Sequence, residues 1–143
     1  MMQKAQLIDL HACGDHRGKL LPLEALSEVV PFEIKRVYYM YEVPKGESRG
    51  AHAHIDLRQL LVCVSGGCTV TCDFGGVRPT ETFRLDSPEK GLAIEGLVWR
   101  EMKDWAPGTV LLVLADEHFN IAGPKEIRNY SNFLSRVREE VDR

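Results

Sequence analysis

Two histidines separated by one residue, His52 and His54, lie in the segment 46–66, GESRGAHAHIDLRQLLVCVSG. On a β-strand, residues i and i+2 point to the same face, so both imidazoles would reach the same space. Histidine accepts and donates protons near neutral pH, and it is also a common metal ligand. The pair therefore indicates either a proton-transfer site or one half of a metal site.

The spacing around the pair resembles the first motif of the cupins, G-x5-H-x-H-x3-4-E-x6-G. In metal-binding cupins the two histidines and the glutamate are ligands, and a third histidine comes from a later hairpin. Here Gln59 stands at the glutamate position and Arg100 at the candidate position of the third histidine. An amide is a poor substitute for a carboxylate ligand, and an arginine does not deprotonate to bind a cation. We therefore expect no metal and no other cofactor, and imidazoles that are free to move protons.

Tyrosines and arginines supply further candidates. If KRVYYMYEV is a strand, Tyr39 and Tyr41 share one face, Tyr38 and Met40 share the other, and one face should line the barrel. A tyrosine hydroxyl there could bind a substrate oxygen or pass a proton. Arginine forks suit planar or tetrahedral oxyanions such as phosphates. The arginines that could serve in this way are Arg17, Arg36, Arg49 and Arg100.

The rest of the chain must position these side chains. After Pro31, turn signals recur roughly every 8–12 residues between segments rich in β-branched and aromatic residues, which is typical of a β-sandwich or barrel. A helical period appears only over 125–143, in the spacing of Ile127, Tyr130 and Phe133. The sequence predicts an all-β protein: a single small cupin jelly-roll barrel over 1–143, with a C-terminal α-helix over 125–143.

Composition narrows the classes of function. The 143 residues, 44% hydrophobic and 27% charged, suit one globular domain. The formal net charge of −3 gives nucleic-acid binding no support. We find no signal-peptide core and no apolar run long enough to span a membrane, so no membrane association is expected. The four cysteines form no C-x-x-C pair, which suits reduced thiols in a cytoplasmic protein.

A narrower resemblance runs through almost the whole chain. The chain resembles the WxcM-like family of sugar 3,4-ketoisomerases, the dTDP-4-keto-6-deoxyglucose 3,4-ketoisomerases of the cupin superfamily. The resemblance rests mainly on the R-G-x-H-A-H core with an upstream R-V-Y-Y and a downstream V-W-x-E-M. The matching segments, in order, are DHRGKL, PFEIKRVYYMYEVPKGESRGAHAH, QLLVCVSGGCTV, LDSPEKGL, VWREMKDW, VLLVLAD and IRNYSNF.

The resemblance implies a metal-free, cytoplasmic homodimer, with N-terminal strands within residues 1–30 shared across the dimer. It also implies an isomerase that moves the keto group of a dTDP-linked 4-keto-6-deoxysugar from C4 to C3 through an enediolate. An aminotransferase would then use the product to make a 3-amino sugar. Sequence alone leaves open whether the product has the galacto or the gluco configuration.

Site residues carried over by position are expectations of the same kind. His52 and His54 would handle protons, with His52 favoured as the base, and Tyr39 would face the hexose as the third catalytic residue. The expected substrate-binding residues are Arg17, Arg36, Tyr41, Arg49, Gln59, Trp99 and Arg100, with Arg17 and Arg49 near the diphosphate.

Three positions depart from the family pattern. Ile55–Asp56 follows the H-A-H core where a basic residue is usual, Arg100 replaces a histidine, and His118 stands where a tyrosine is common. Two other functions remain open at this point. One is a cupin-like module that binds a sugar or nucleotide without turnover. The other is a metal-dependent cupin oxygenase that uses His52, His54, Gln59 and His118.

Overall fold

The computed structural model describes residues 2–119 and 125–143. These residues form short strands followed by one helix, as the spacing of turn signals predicts. In chain order they are β1 (Lys4–Asp9), β2 (Cys13–Asp15), β3 (Gly18–Leu20), β4 (Arg36–Tyr41), β5 (Arg49–His54), β6 (Arg58–Ser65), β7 (Cys68–Asp73), β8 (Glu81–Leu85), β9 (Lys90–Glu95), β10 (Trp99–Lys103), β11 (Val110–Ala115), β12 (Glu126–Ile127) and α1 (Tyr130–Val141).

Two five-stranded antiparallel sheets make up the barrel. The first sheet has the strand order β1-β9-β6-β11-β4, and the second has the order β12-β5-β10-β7-β8. Strands β2 and β3 form a separate hairpin. This arrangement is the two-sheet architecture of a small cupin jelly roll, and it confirms the predicted fold class.

Three apolar clusters stabilise the sheets. The central core fills the space between them and includes Leu61, Cys63, Val70, Leu92 and Val113. The N-terminal segment covers the outer face of the first sheet through a second cluster, and helix α1 covers the outer face of the second sheet through a third. The second cluster contains Leu10, Val30, Phe32, Leu60, Val62 and Leu114, and the third contains Ala53, Leu97, Trp99, Phe133 and Val137. Both faces of these sheets are therefore partly buried.

The C-terminal helix begins later than the sequence predicts. Residues 125–129 are not helical, because Glu126 and Ile127 pair with His54 and Ala53 as strand β12. The helix starts after Asn129, whose side chain accepts a hydrogen bond from the Asn132 amide, the usual role of asparagine at a helix N-cap. The predicted boundary was wrong because a helical period in the sequence does not reveal a strand pairing with a distant segment.

Strand β5 carries a β-bulge next to its histidines. The register with β10 shifts between Arg100 and Glu101, and Ala51 has a φ of 50°. Gly50 has a φ of 93°, and a Cβ at this position would lie 3.0 Å from the Arg100 carbonyl oxygen. Bulges bend a strand and redirect its side chains, often beside functional sites. The bulge therefore helps to set the direction of the His52 side chain.

Strand β1 pairs with β9 of the same chain, from Lys4 opposite Glu95 to Asp9 opposite Lys90. The sharing of N-terminal strands across a dimer stays a prediction. In the part of the chain that the structure describes, no helix has both the length and the apolar character needed to cross a membrane.

Candidate active site

A cavity of about 310 Å³ opens between the two sheets, and we call it the histidine cavity. This volume lies within the range of small-molecule sites. Its lining comes from strands β4, β5, β6 and β10, so both sheets contribute. The lining residues are Tyr38, Tyr39, Met40, Arg49, Gly50, His52, Gln59, Leu61, Arg100 and Met102.

The two histidines of β5 contact each other directly, as the i, i+2 spacing predicts. Their Nε2 atoms lie 3.0 Å apart, and the rings meet edge to face. His52 Nδ1 lies 2.8 Å from the Gly50 carbonyl oxygen, which can only accept, so this nitrogen carries the proton. In neutral His52 the Nε2 atom is then a bare acceptor, and His54 Nε2–H donates to it. The bulge residue Gly50 thus selects the tautomer of His52.

Burial keeps both imidazoles neutral. Burial lowers the pKa of His52, and the charges of Arg100 and Arg128 lower it further. The hydrogen bond to Gly50 and the charge of Glu126 raise this pKa, but by less than burial lowers it. Burial, together with Arg100, His52 and Arg36, lowers the pKa of His54 to about 2. An imidazole that is neutral at pH 7 can accept a proton from a substrate. His52 is therefore available to accept a proton, whereas a pKa of about 2 makes His54 a much weaker base.

A chain of buried polar groups crosses the cavity beside the pair. The guanidinium of Arg100, which is only 1% exposed, donates to Gln59 Oε1, and its Nε donates to the Val98 carbonyl oxygen over 3.2 Å. Gln59 Nε2 in turn donates to the Tyr38 hydroxyl over 3.1 Å. Both partners of Arg100 are uncharged. A buried cation without a carboxylate against it is unfavourable for stability, which points to a role in function.

Tyr38, rather than Tyr39, is the tyrosine that faces the polar chain. Tyr39 lies on the outer face of β4, is 62% exposed and packs against Tyr41 at a ring distance of 5.9 Å. Alternation defines two faces of a strand without showing which one points inward, and the role of Tyr39 as a catalytic residue facing the hexose stays a prediction. Tyr39 nevertheless belongs to the lining of the histidine cavity. It also borders a second cavity of about 480 Å³, together with Tyr41 and Arg49.

Trp99 faces away from the histidine cavity. It packs on the outer side of the second sheet, against Tyr130 and Phe133 of helix α1, at ring distances of 5.2 and 5.6 Å. The next residue, Arg100, points into the cavity. Trp99 is therefore outside the lining of the histidine cavity and anchors the helix, and its expected contact with substrate stays a prediction.

The remaining arginines differ in position. Arg36 lies over the rings of Tyr38 and Phe119, at 5.2 and 5.8 Å, and its Nε is buried without a hydrogen-bond partner. Arg49 lines both cavities. Arg17 lies in the turn between β2 and β3, where its exposed guanidinium pairs with Asp15. The structure thus brings Arg36, Arg49 and Arg100 to the site, while Arg17 is held by its neighbour in the hairpin.

Sequence reasoning missed Glu126. Its carboxylate lies 4.0 Å from His52 Nε2, and the possible ligand atoms of His52, His54 and Glu126 all lie within 4.8 Å of one another. These donor types occur in metal sites, but Arg128 already pairs with the carboxylate, and the charge of Arg100 acts on both histidines. The positive charges of these two arginines therefore make this group of side chains unsuitable for a metal cation. His118 is exposed and is not part of the group.

Comparison with known proteins places the chain in a family. The family model described as FdtA, WxcM-like, C-terminal, matches residues 3–138. The chain belongs to this family. A curated member, the TDP-4-oxo-6-deoxy-alpha-D-glucose-3,4-oxoisomerase of Aneurinibacillus thermoaerophilus, is 41% identical over 92% of this chain and 91% of its own length.

Solved structures of 3,4-ketoisomerases resemble the chain in sequence and in fold. A 3,4-ketoisomerase from Helicobacter canadensis is 39% identical, with a TM-score of 0.88 over 96% of this chain and 99% of its own. A histidine-to-asparagine variant of the 3,4-ketoisomerase QdtA from Thermoanaerobacterium thermosaccharolyticum, in complex with TDP-4-keto-6-deoxyglucose, is 36% identical, with a TM-score of 0.88 over 97% of each chain. The predicted family is confirmed. These relatives also support a sugar 3,4-ketoisomerase over a binding module or an oxygenase.

Proposed function

We propose that this chain is a 3,4-ketoisomerase that acts on a TDP-linked 4-keto-6-deoxysugar. The observation that carries this proposal is the pair of neutral, hydrogen-bonded histidines, one of which lines a cavity between the sheets. Relatives that match over nearly their whole length and are named as 3,4-ketoisomerases support the same reaction.

The reaction needs one base and donors for the developing oxyanion. A hydrogen on C3, next to the C4 ketone, is acidic. His52 Nε2 exchanges its hydrogen bond from His54 for this proton, and the C3–H electron pair forms the C3=C4 double bond of an enediolate with negative charge on O4. The proton of the C3 hydroxyl then moves to O4, and return of the proton from the imidazolium to C4 leaves the ketone at C3. His52 is favoured as the base because it lines the cavity. Donors such as the Tyr38 hydroxyl and the Arg100 guanidinium can stabilise negative charge on the sugar oxygens.

The second cavity suits the nucleotide half of the substrate. It adjoins the histidine cavity through Tyr39, Met40 and Arg49, so a molecule longer than one hexose can extend across both. Arg49 is placed to bind the diphosphate, and the ring pair of Tyr39 and Tyr41 offers an aromatic surface for the nucleobase. The role of Arg17 at the diphosphate remains a prediction from the resemblance.

The direct test is an assay of isomerisation. Purified protein should convert TDP-4-keto-6-deoxyglucose to its 3-keto isomer, detected through a coupled 3-aminotransferase. Calorimetry with the same sugar separates the alternative, because a binding module would bind the ligand and give no product. Binding without turnover, under conditions in which a known 3,4-ketoisomerase turns over, would contradict the proposal.

A homodimer is part of the proposal. Strand β4 is an edge of the first sheet, and its outer face exposes Val37. Exposed apolar edges of this kind are commonly covered by pairing with a second copy. Light scattering should show a dimer, and Val37→Lys should weaken it. A monomer across a wide range of concentrations would contradict this assembly.

We also propose that the protein works in the cytoplasm. Its four cysteines are free thiols, and three of them are buried, which suits a reducing compartment. Cell fractionation with antibody detection tests this location, and recovery of the protein outside the cytoplasmic fraction would contradict it.

A further inference from the structure

Strand β12 brings a carboxylate to the histidine pair. The strand has only two residues, and Glu126 lies directly opposite His54 in the antiparallel pairing with β5. Partners in such a pair project to the same face of the sheet. The Glu126 side chain is accordingly only 14% exposed, and its Oε2 lies 4.0 Å from His52 Nε2. The pairing of backbone strands therefore fixes the position of this carboxylate.

The two oxygens of Glu126 have different partners. Oε1 accepts from the Arg128 guanidinium, with a distance of 2.8 Å to Nε, whereas Oε2 is the oxygen that faces His52. Arg128 is mostly exposed, while Glu126 is mostly buried. The arginine thus holds the carboxylate in one orientation from the solvent side and leaves its other oxygen directed at the imidazoles.

The charges around the pair are otherwise positive. Within the described residues, β10 contributes Arg100 and β4 contributes Arg36, and Arg128 lies just beyond β12. Strands β6 and β4 also contribute the uncharged Gln59 and Tyr38. Glu126 is the carboxylate that acts on His52 in this setting. When the pair gains a proton, an imidazolium forms among these cations, and nearby negative charge is needed to stabilise it.

We propose that Glu126 is a positioning residue for the histidine pair: it orients His52 and His54 and balances the charge that the pair acquires from the sugar. This inference rests on the proposed isomerase activity. The proton leaves C3 and forms an N–H bond on His52, and the electron pair of the broken C–H bond enters the enediolate. Glu126 gains no proton and touches no reacting atom. Its carboxylate lowers the free energy of the ion pair formed by imidazolium and enediolate.

The test uses three substitutions. Glu126→Gln removes the charge and keeps the shape, while Arg128→Gln keeps the carboxylate and removes its cation. Glu140→Gln is the matched control, since Glu140 is 15% exposed and pairs with Arg136 on helix α1, away from the cavity. We expect Glu126→Gln to lower kcat at least about tenfold with little change in KM, because the lost interaction acts on the charged transition state. The control should match the parent.

The pH profile provides a readout that a purely structural role would not change. Glu126 raises the pKa of His52, and Arg128 lowers it. The acid limb of kcat/KM should therefore move to lower pH in Glu126→Gln and to higher pH in Arg128→Gln. If Glu126→Gln folds poorly, the shift in Arg128→Gln still decides the question. Equal profiles in the parent and in all three variants would overturn the inference.

An NMR titration of the His52 ring, without substrate, separates this inference from the proposed function. Glu126→Gln should lower the His52 pKa, and Glu140→Gln should leave it unchanged, whether or not the protein isomerises a sugar. An inactive parent that shows this shift would refute the isomerase and keep the link between Glu126 and the histidines. An active parent without the shift would refute the role of Glu126 alone.

Discussion

The space between the two sheets has two chemically different parts, although the same strands build both. Along β6, Gln59 is followed at successive inward positions by Leu61 and Cys63, and along β10 Arg100 is followed by Met102. The histidine cavity therefore passes into the central core within one repeat of the strand. The fold needs only that these positions point inward, and the type of residue at each one decides whether that part of the barrel serves stability or chemistry.

The two parts also differ in energetics. In the central core, burial of apolar side chains stabilises the fold directly. In the histidine cavity, Arg100, Gln59 and Tyr38 must satisfy one another, and a buried ionic or polar group often contributes less to stability than an apolar residue of similar size. Side chains that are poor choices for stability, yet hydrogen-bonded to each other beside two histidines, indicate that this part of the barrel is kept for catalysis.

Replacing polar residues of the histidine cavity with apolar ones should have the largest effect on turnover. In the double variant Gln59→Leu with Arg100→Met, two side chains that hydrogen-bond to each other are removed together, and the Tyr38 hydroxyl loses only the amide that donates to it. We expect turnover to fall at least about a hundredfold, since oxyanion donors typically contribute that much, while the free energy of unfolding stays equal or rises. Coupled assays and urea denaturation measure the two quantities. Full activity in this variant would show that the polar chain has no part in catalysis.

A substitution in the central core should have the opposite pattern. Leu92 is fully buried and does not line the histidine cavity. Leu92→Ala should lower the free energy of unfolding by about 2–5 kcal/mol, as is typical for a buried leucine, and leave kcat of the folded protein close to the parent. A loss of kcat at a temperature where the variant is fully folded would show that the two parts of the barrel are not separate.

The stability of the fold should depend on pH through the cavity rather than the core. Burial lowers the pKa of both histidines, that of His54 to about 2. As the pH falls below about 6.5, these histidines take up protons in the unfolded chain but stay neutral in the folded one. The free energy of unfolding therefore decreases from its value at pH 7, by at most about 1.4 kcal/mol per pH unit for each histidine. Urea denaturation between pH 7 and 5 should show this slope, reduced in His54→Asn. The exposed His16→Asn is the control, and an equal slope in His54→Asn and the parent would contradict the assignment.

Chelators should have no effect on isomerase activity. Arg128 holds Glu126, Arg100 acts on the histidines, and we expect purified protein to carry no stoichiometric transition metal. Activity should be unchanged after dialysis against a chelator, with elemental analysis of the same sample. Recovery of about one tightly held metal per chain, with activity lost on its removal, would contradict the proton-transfer account.

The sequence was sufficient for the fold class and the histidine pair, because both follow from local patterns. Strand alternation placed His52 and His54 on one face, and the spacing of turns indicated a barrel. Local patterns could not choose the inward face of β4, since tyrosines occupy both phases of VYYMY, so the sequence did not single out Tyr38 as the tyrosine that meets Gln59. Local patterns likewise did not show that helix α1 packs on Trp99 at the outer face of the second sheet.

Glu126 lay beyond the reach of local patterns for a different reason. It comes to the histidines through the pairing of β12 with β5, two segments far apart in the chain. In the sequence, its neighbour Ile127 fits the helical period that follows. Nothing near Glu126 in the chain indicates a histidine as its partner, and only the three-dimensional pairing reveals it.

The most direct test of the central claim is the exchange of solvent deuterium into the sugar. If His52 removes the C3 proton, the parent enzyme in D₂O should incorporate deuterium through the enediolate, as measured by NMR of the recovered sugar. His52→Asn should suppress both exchange and isomerisation at least about a hundredfold, while TDP binding stays unchanged. Exchange and turnover in His52→Asn equal to those of the parent would contradict the claim, and the base would then have to be sought elsewhere in the cavity.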